Sequence, residues 1–568
     1  MKEIYFNNAA KRKTYAGNLF ETGVKELKNS ILNSIESEYS SLHKEGFLHI
    51  HDLEAYGLTY NCLTPDIIRN FPYEYFDKFS DTKKILEIIS YYKHIISNLA
   101  NEQTGGIAFA NFDDEIDYLF NKFKVVDTEF NLELLKNCIE SFVTWINVSR
   151  TRYGQECYYV SLNLGLSTGK IGRFVTESVL NFFMESSSDI IRPNIIFKAK
   201  YGVNLSEKDK NYDLFCLALK CTAKKMIPTY LLCDSKPNVN FDPYKIAIMG
   251  CRTRVMQNQH GEETSIGRGN IDYVTINLPK IALEIDSLYK EDINTKISLF
   301  QDRWVQIAQQ AKKILLDRYD KLLKIDLDNF PFNFNQGLWI RDFNLSETTE
   351  EVFKNGTLSI GFIGIAETIE ILTGDKYYFS ENNFEIAIKI VTFMRETVDQ
   401  FRKDTNLNFT LLATSGEYVS GRFPNLDKKN YNHKILHKGY YTNSFHVDVD
   451  SLMHPLEKIK YEGAFHVLCN GGCITYVELL SAPLNNYEAI FELIEWGIKY
   501  GVSYLGINYP MDVCMDCGTI GTFDKCSQCG GSKIKRIRRV SGYLEDLEFF
   551  TKGKKSEVLY RKPNIVEE

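Results

Sequence analysis

No segment of this 568-residue chain is apolar for long enough to span a bilayer. Met1–Lys13 carries no apolar run ahead of a small-residue cleavage site, so nothing marks a secretory precursor. Neither sign of charge dominates: 67 Lys and Arg against 74 Asp and Glu give −7, which leaves no global attraction for nucleic acid or an anionic membrane. Internal repeats and low-complexity linkers are missing, and no G-x-x-x-x-G-K-S/T phosphate loop occurs. A disulfide framework is missing as well. The 13 cysteines are an odd number, and the nine outside one C-terminal cluster are scattered, which suits reduced thiols. The expectation is a soluble cytoplasmic protein.

What is present is an ordinary globular balance, 44% apolar and 25% charged, with 34 Tyr and 37 Phe to fill a large core. Apolar spacing predicts helices at Ala16–His43, Thr82–Glu102, Leu132–Ser149, Asn294–Leu323, Asn383–Lys403 and Tyr487–Tyr500. In the first, Leu19, Val24, Leu27, Ile31 and Ile35 carry the period. β-rich runs bounded by Gly, Asn or Pro fall at Tyr158–Leu166, Ile195–Lys200, Tyr273–Leu278, Leu358–Ile363, Phe409–Leu412 and Ile474–Leu479. Strands alternating with long helices predict an α/β body with helices outside a sheet or barrel. The one clear boundary lies near Gly506–Pro510, dividing a body of residues 1–505 from a small module of residues 506–568.

That module holds Cys514, Cys517, Cys526 and Cys529 in the pattern C-x2-C-x8-C-x2-C. Each C-x-x-C turn aims two thiolates at one point, and two turns complete a tetrahedral zinc site. Gly518, Gly530 and Gly531 stand where such turns need open backbone. A basic run, Lys533–Arg539, follows and leads into Val540-Ser541-Gly542-Tyr543-Leu544. In the body, Gly250-Cys251-Arg252 is loop-like, and a cysteine between glycine and arginine is more readily activated than a core thiol, although most cysteines are small buried hydrophobes. His49-Ile50-His51-Asp52 precedes Asn61-Cys62. It admits a metal site, with histidines hydrogen-bonded in a turn beside the cysteine-bearing loop as the favoured alternative. Asn101–Gly106 is polar and glycine-rich, fit for close approach to a ligand. At Leu411–Glu417 a strand ends in Thr414, Ser415 and Gly416, which suits either a phosphate site or an ordinary capping turn.

Together these segments resemble the anaerobic, class III ribonucleoside-triphosphate reductases, which are glycyl radical enzymes. The resemblance rests on His49–Asp52 with Asn61-Cys62, Met249–Arg252, Gly267–Asn270, Gly356–Gly364, Tyr441–His446 and Ile474–Glu478. Its most specific part is the four-cysteine module followed by Arg538–Leu544. It implies a ten-stranded α/β barrel threaded by a finger loop with Cys251 at its tip, and a C-terminal zinc-binding module carrying the radical at Gly542. A glycine backbone radical is stabilised between a donating amide nitrogen and a withdrawing carbonyl, on a planar carbon that no side chain hinders.

The resemblance further implies that an iron–sulfur activase using S-adenosylmethionine generates the Gly542 radical. Cys251 becomes the thiyl that attacks the ribose, and Cys62 serves as proton donor and reductant on the opposite face. In members that use formate, an asparagine replaces a third active-site cysteine; Asn270 is the candidate and Asn277 the fallback. Thr414, Ser415 and Gly416 would meet the substrate phosphates. A homodimer with dNTP or ATP effectors at its interface is implied. An N-terminal ATP-binding cone is not expected, because His49 comes so early, and with it no dATP shut-off through such a domain. Where many relatives have cysteine before the radical glycine, this chain has Ser541. Cys469 and Cys473 lie outside the pattern; two buried structural thiols are favoured over a redox dithiol. The competing readings are another glycyl radical enzyme, of formate-lyase or dehydratase type, and a zinc-ribbon nucleic-acid binder using Lys533–Arg539.

Overall fold

The computed structural model describes residues 14–151, 157–187, 190–289, 292–339 and 348–564. Met1–Lys13 lies outside them. The main sheet is built from β1 (Leu48–Ile50), β2 (Cys62–Thr64), β3 (Ile107–Phe109), β4 (Val160–Leu164), β5 (Asn194–Ala199), β6 (Thr229–Leu232), β7 (Arg268–Asn277), β8 (Thr357–Ile363), β9 (Asn408–Ala413), β10 (Thr475–Glu478) and β11 (Tyr504–Asn508). Ten of them follow one path, β10-β11-β6-β5-β4-β3-β2-β7-β8-β9, and β1 pairs with β7 off that path.

Strands β2 to β6 run parallel, as do β7 to β9 and the pair β10 and β11. The β2–β7 and β6–β11 joints are antiparallel. The expected barrel is therefore not closed by strand pairing between β9 and β10. Two backbone bonds bridge that gap instead: Gly471 N–H donates to Leu411 and Ala413 N–H donates to Gly472. Every residue of β4, β8 and β9 is buried, as parallel strands covered by helices require.

The predicted helices form, and most begin slightly earlier than their apolar period. Ser80, Thr128, Asp292 and Ser380 each accept a backbone N–H from the first turn, so the cap sets the boundary rather than the first apolar residue. The first predicted helix divides into Tyr15–Ser34 and Ser37–Glu45, with Ile35 extended between them. Its Val24 is buried, whereas Leu19 and Leu27 face outward. None of the described helices is long and apolar enough to cross a membrane.

Strand β11 continues through Asn508, so Gly506, Ile507 and Asn508, the first residues of the predicted body-to-module break, belong to the main sheet. Beyond it a four-stranded sheet of order β13-β12-β14-β15 is formed by β12 (Met511–Cys514), β13 (Ile520–Gly521), β14 (Ile534–Arg539) and β15 (Leu544–Asp546). The helix Lys552–Tyr560 then returns to the body.

Candidate active site

Cys251 sits at the tip of a hairpin that leaves the sheet after β6. Met249 and Thr253 exchange two backbone bonds, and Gly250 takes a left-handed φ of 55° to turn the tip. The hairpin is gripped both from the middle of the strand path and from its two ends. Asn163 on β4 bonds the Ile248 backbone, and Asn194 on β5 reaches the Gly250 carbonyl. At the two ends, Gly471 ahead of β10 accepts from Arg254 N–H, and Arg252 Nη1 donates to the carbonyls of Ala413, the last residue of β9, and Thr414. The sheet thus wraps a central finger, as expected.

Against that tip lies Gly542, in the hairpin turn between β14 and β15. A Cβ placed on Gly542 would fall 2.2 Å from the Cys251 carbonyl oxygen and 2.4 Å from its Cα, so only glycine fits. The turn is closed by Val540 N–H donating to the Tyr543 carbonyl at 3.0 Å. Val540, Tyr543, Cys157 and Phe550 form a dry cluster there, packed on Tyr159 and Cys251. Arg539 Nη1 donates to the Gly542 carbonyl at 3.2 Å, and its Nε donates to Asn508 at 2.6 Å. A cation on that carbonyl strengthens the electron-withdrawing side of the glycine. The Ser541 hydroxyl lies 3.1 Å from the Cys251 sulfur and donates to Glu417 at 2.9 Å.

Burial, followed by the nearby Glu417 carboxylate, pushes the Cys251 thiol up to about 11. It therefore stays S–H at neutral pH, which is the form a hydrogen-atom donor needs.

Cys62 lines the same cavity, about 990 Å³ with its open mouth counted, which also takes in His51, Tyr273, Arg252 and Thr414–Glu417. Burial raises the Cys62 thiol to about 12. Its sulfur donates to Asn61 Oδ1 at 2.7 Å and accepts Gly106 N–H at 3.2 Å. Asn61 in turn donates to Asp52 at 2.9 Å. The glycine-rich turn here admits the sulfur itself: a Cβ on Gly105 would lie 2.7 Å from Cys62 Sγ.

His51 stacks on Tyr273 with ring centroids 3.9 Å apart and bonds Thr275 at 2.8 Å; burial holds His49 and His51 well below the usual range, hence neutral. Among the described residues only the four C-terminal cysteines gather three or more metal-ligand atoms, so His49–Asp52 is a hydrogen-bonded turn and not a metal centre.

Asn270 is the direct antiparallel partner of Cys62 across β2 and β7. Its amide donates to Thr357 Oγ1 at 2.9 Å and Ser359 Oγ at 2.8 Å, and it does not line the cavity. Asn277 instead caps the helix Leu278–Leu288 and bonds Asp427. Thr414, Ser415 and Gly416 do line the cavity, with Thr414 Oγ1 3.0 Å from Thr275 Oγ1. Arg252 Nη1 reaches that segment at the Thr414 carbonyl, 3.4 Å away. The roles of Glu417, Ser541 and Arg539 were not read from the sequence. Glu417 has no local signal, Ser541 stood out only as the residue in a cysteine's usual place, and Arg539 only as part of the basic run.

The family model for the anaerobic ribonucleoside-triphosphate reductases matches residues 7–563. The chain belongs to that family. The reductase of this name from Escherichia coli strain K12 is 30% identical over 567 residues, 92% of this chain and 78% of the relative. A Thermotoga maritima anaerobic ribonucleotide reductase, solved in complex with dATP and CTP, superposes with a TM-score of 0.70 at 15% identity, covering 96% of this chain and 92% of its own. A glycyl radical enzyme from Archaeoglobus fulgidus shares the fold more distantly, with a TM-score of 0.57 at 12% identity, covering 98% and 86%. Class III reductases are glycyl radical enzymes, which fits the seating of Gly542 on Cys251.

The four cysteines of the module lie within 4.8 Å of one another, with Cys514–Cys529 and Cys517–Cys526 sulfurs each 3.5 Å apart. A tetrahedral zinc with Zn–S of about 2.3 Å asks for sulfurs roughly 3.8 Å apart, so the set fits that ion. Gly518 and Gly530 both adopt positive φ, 77° and 72°, in the two turns. Cys514 ends β12 opposite Ile534, the first residue of β14, and Gly542 follows the last. The cluster therefore clamps one end of a ribbon whose strand β14 runs about 17 Å at strand rise, and Gly542 lies in the turn beyond the other end. Three of the five cations in the basic run are taken up: Arg538 pairs with Asp512 at 2.8 Å, Arg536 with Asp524 at the surface, and Arg539 is 2% exposed, while Lys533 is exposed.

Proposed function

We propose that this chain reduces ribonucleoside triphosphates to 2′-deoxyribonucleoside triphosphates under anaerobic conditions, with Gly542 storing the radical and Cys251 delivering it. The observation that carries the reading is the absence of room for any side chain between Gly542 and the Cys251 backbone, beside a cavity that also holds Cys62.

An activase using S-adenosylmethionine removes a hydrogen atom from Gly542. The Gly542 radical takes the hydrogen of the Cys251 thiol, giving C–H and a sulfur radical. That sulfur takes the 3′-hydrogen of the ribose, which loosens the 2′-hydroxyl. Cys62, protonated because burial keeps it so, gives its proton to the departing water. Two electrons and a proton must then reach the sugar, and formate supplies them on becoming carbon dioxide; Cys251 returns the 3′-hydrogen. Asn270, across the strand pair from Cys62, is the polar group where a third thiol would stand, and its side chain would act through a shift of the Thr357 and Ser359 hydroxyls. The Thr414–Gly416 turn and Arg252 would meet the phosphates. A dNTP effector at a homodimer interface is the expected control of substrate choice. Cys514, Cys517, Cys526 and Cys529 would hold a zinc ion that fixes the ribbon's shape.

The test is product formation from CTP after anaerobic activation, with and without formate. Formate-dependent dCTP supports the full reading. Activity only with a dithiol protein would move the reductant to another source, and the absence of dCTP with either would contradict it.

A further inference from the structure

We propose that Glu417 is a positioning residue that latches the radical hairpin onto the finger and ties it to the substrate segment. The inference rests on Gly542 and Cys251 being the radical pair. Glu417 follows Thr414, Ser415 and Gly416 directly, and all four line the same cavity. Its carboxylate reaches the C-terminal hairpin, and each oxygen takes one of the residues flanking Gly542. Ser541 Oγ donates to Oε1 at 2.9 Å and Tyr543 OH donates to Oε2 at 2.8 Å. Its backbone carbonyl takes a third contact, from the Thr551 hydroxyl at 2.9 Å, and Thr551 also caps the helix Lys552–Tyr560. Four residues on, Gly421 meets Gly553 of that helix so closely that a Cβ on either would lie within 2.9 Å of the other's backbone. One short segment thus holds the module by side chain, main chain and close packing.

The hydroxyl of Ser541 has a single proton. It is placed to donate to Glu417 at 2.9 Å or to the Cys251 sulfur at 3.1 Å, so the carboxylate and the sulfur compete for it. The carboxylate therefore orients both neighbours of Gly542, and through one of them the thiol. The step it governs moves one hydrogen atom from sulfur to carbon and leaves no charge behind, so distance and alignment set its rate. Holding those two quantities is what a bidentate carboxylate does well. Because the same segment faces the substrate cavity, any shift of Thr414–Gly416 on substrate binding passes to the radical hairpin through the next residue.

The test uses Glu417→Gln and Tyr543→Phe in the full chain, activated anaerobically and moved into deuterium oxide. Each crossing and return of the hydrogen lets solvent deuterium on the Cys251 thiol enter Gly542, so the glycyl doublet in the electron paramagnetic resonance spectrum collapses to a singlet. Glu417→Gln should slow that collapse roughly tenfold or more and lower kcat in step, with a smaller change in KM. Tyr543→Phe, which removes one donor and keeps the ring, should give a smaller slowing in the same direction. Collapse rates and kcat within about twofold of the parent in both variants would overturn the latch. Should Glu417→Gln lose its zinc and its fold, Tyr543→Phe alone decides by the same collapse rate: slowed supports the latch, unchanged overturns it. A parent protein with no doublet at all would sink the radical-pair reading, and the latch with it.

Discussion

The two ends of the β14–β15 ribbon live in opposite surroundings. At the cysteine end, Cys517 and Cys529 are exposed and the four sulfurs face one another. At the glycine end, Gly542 is buried against Cys251 on the finger, and its neighbours Ser541 and Tyr543 are held by Glu417 after β9 and, for Tyr543, by Tyr159 before β4. The first end is shaped by chemistry inside the module and the second by the body. A radical carrier needs both: an internally rigid ribbon, and a dry receptor that the ribbon can reach.

The comparison can be broken most severely at the finger. Cys251→Ser should leave the glycyl doublet intact and make no deoxynucleotide, because the glycine radical forms upstream of the thiyl; product formation would refute the assignment. Next in size is removal of zinc by a chelator. Structural zinc contributes on the order of 10 kcal/mol or more to small modules, so the ribbon should lose order and most of its radical yield while the body keeps its far-ultraviolet circular dichroism.

Arg192→Ala sharpens the contrast from the body side. It strips the buried partner of Glu545 on β15 and should weaken docking by about 3–5 kcal/mol, read as faster proteolysis of the module at unchanged zinc content. Smaller still is the pH effect. Free thiols begin to ionise near 8.5, but burial holds Cys251 at about 11 and Cys62 at about 12. A raised value keeps the proton on, so single-turnover rates should be flat through pH 9 and fall only toward 11; a loss centred near 8.5 would show that the pocket is wetter than described. Least of all, duplex DNA should bind no more tightly at low salt than the acidic chain allows, because the three arginines of the basic run are engaged by Asp524, Asp512 and the Gly542 carbonyl.

Much of the site was legible because its chemistry fixes residue types at fixed spacings. Four cysteines in C-x2-C pairs and a glycine that tolerates no side chain can be read from one chain. The long helices were legible from period, and their ends shifted only where an upstream hydroxyl or carboxylate supplied the cap. Strands β1, β2 and β3 were not, since three residues carry no period. Long-range pairing hid the rest. Asn270 meets Cys62 only through the β2–β7 register, and Glu417 meets Ser541 across 124 positions. The basic run misled in the other direction: Arg539 reads as surface charge and is buried beside Gly542. Cys469 and Cys473, as favoured from sequence, are both buried in the core, with Cys473 3.5 Å from Ser503 Oγ.

The central claim is that Gly542 carries the radical, and the most direct measurement is electron paramagnetic resonance after anaerobic incubation with the activase, S-adenosylmethionine and a reductant. The parent chain should show a glycyl doublet and Gly542→Ala none, since its methyl group would press on the Cys251 carbonyl. A normal doublet in Gly542→Ala would contradict the account.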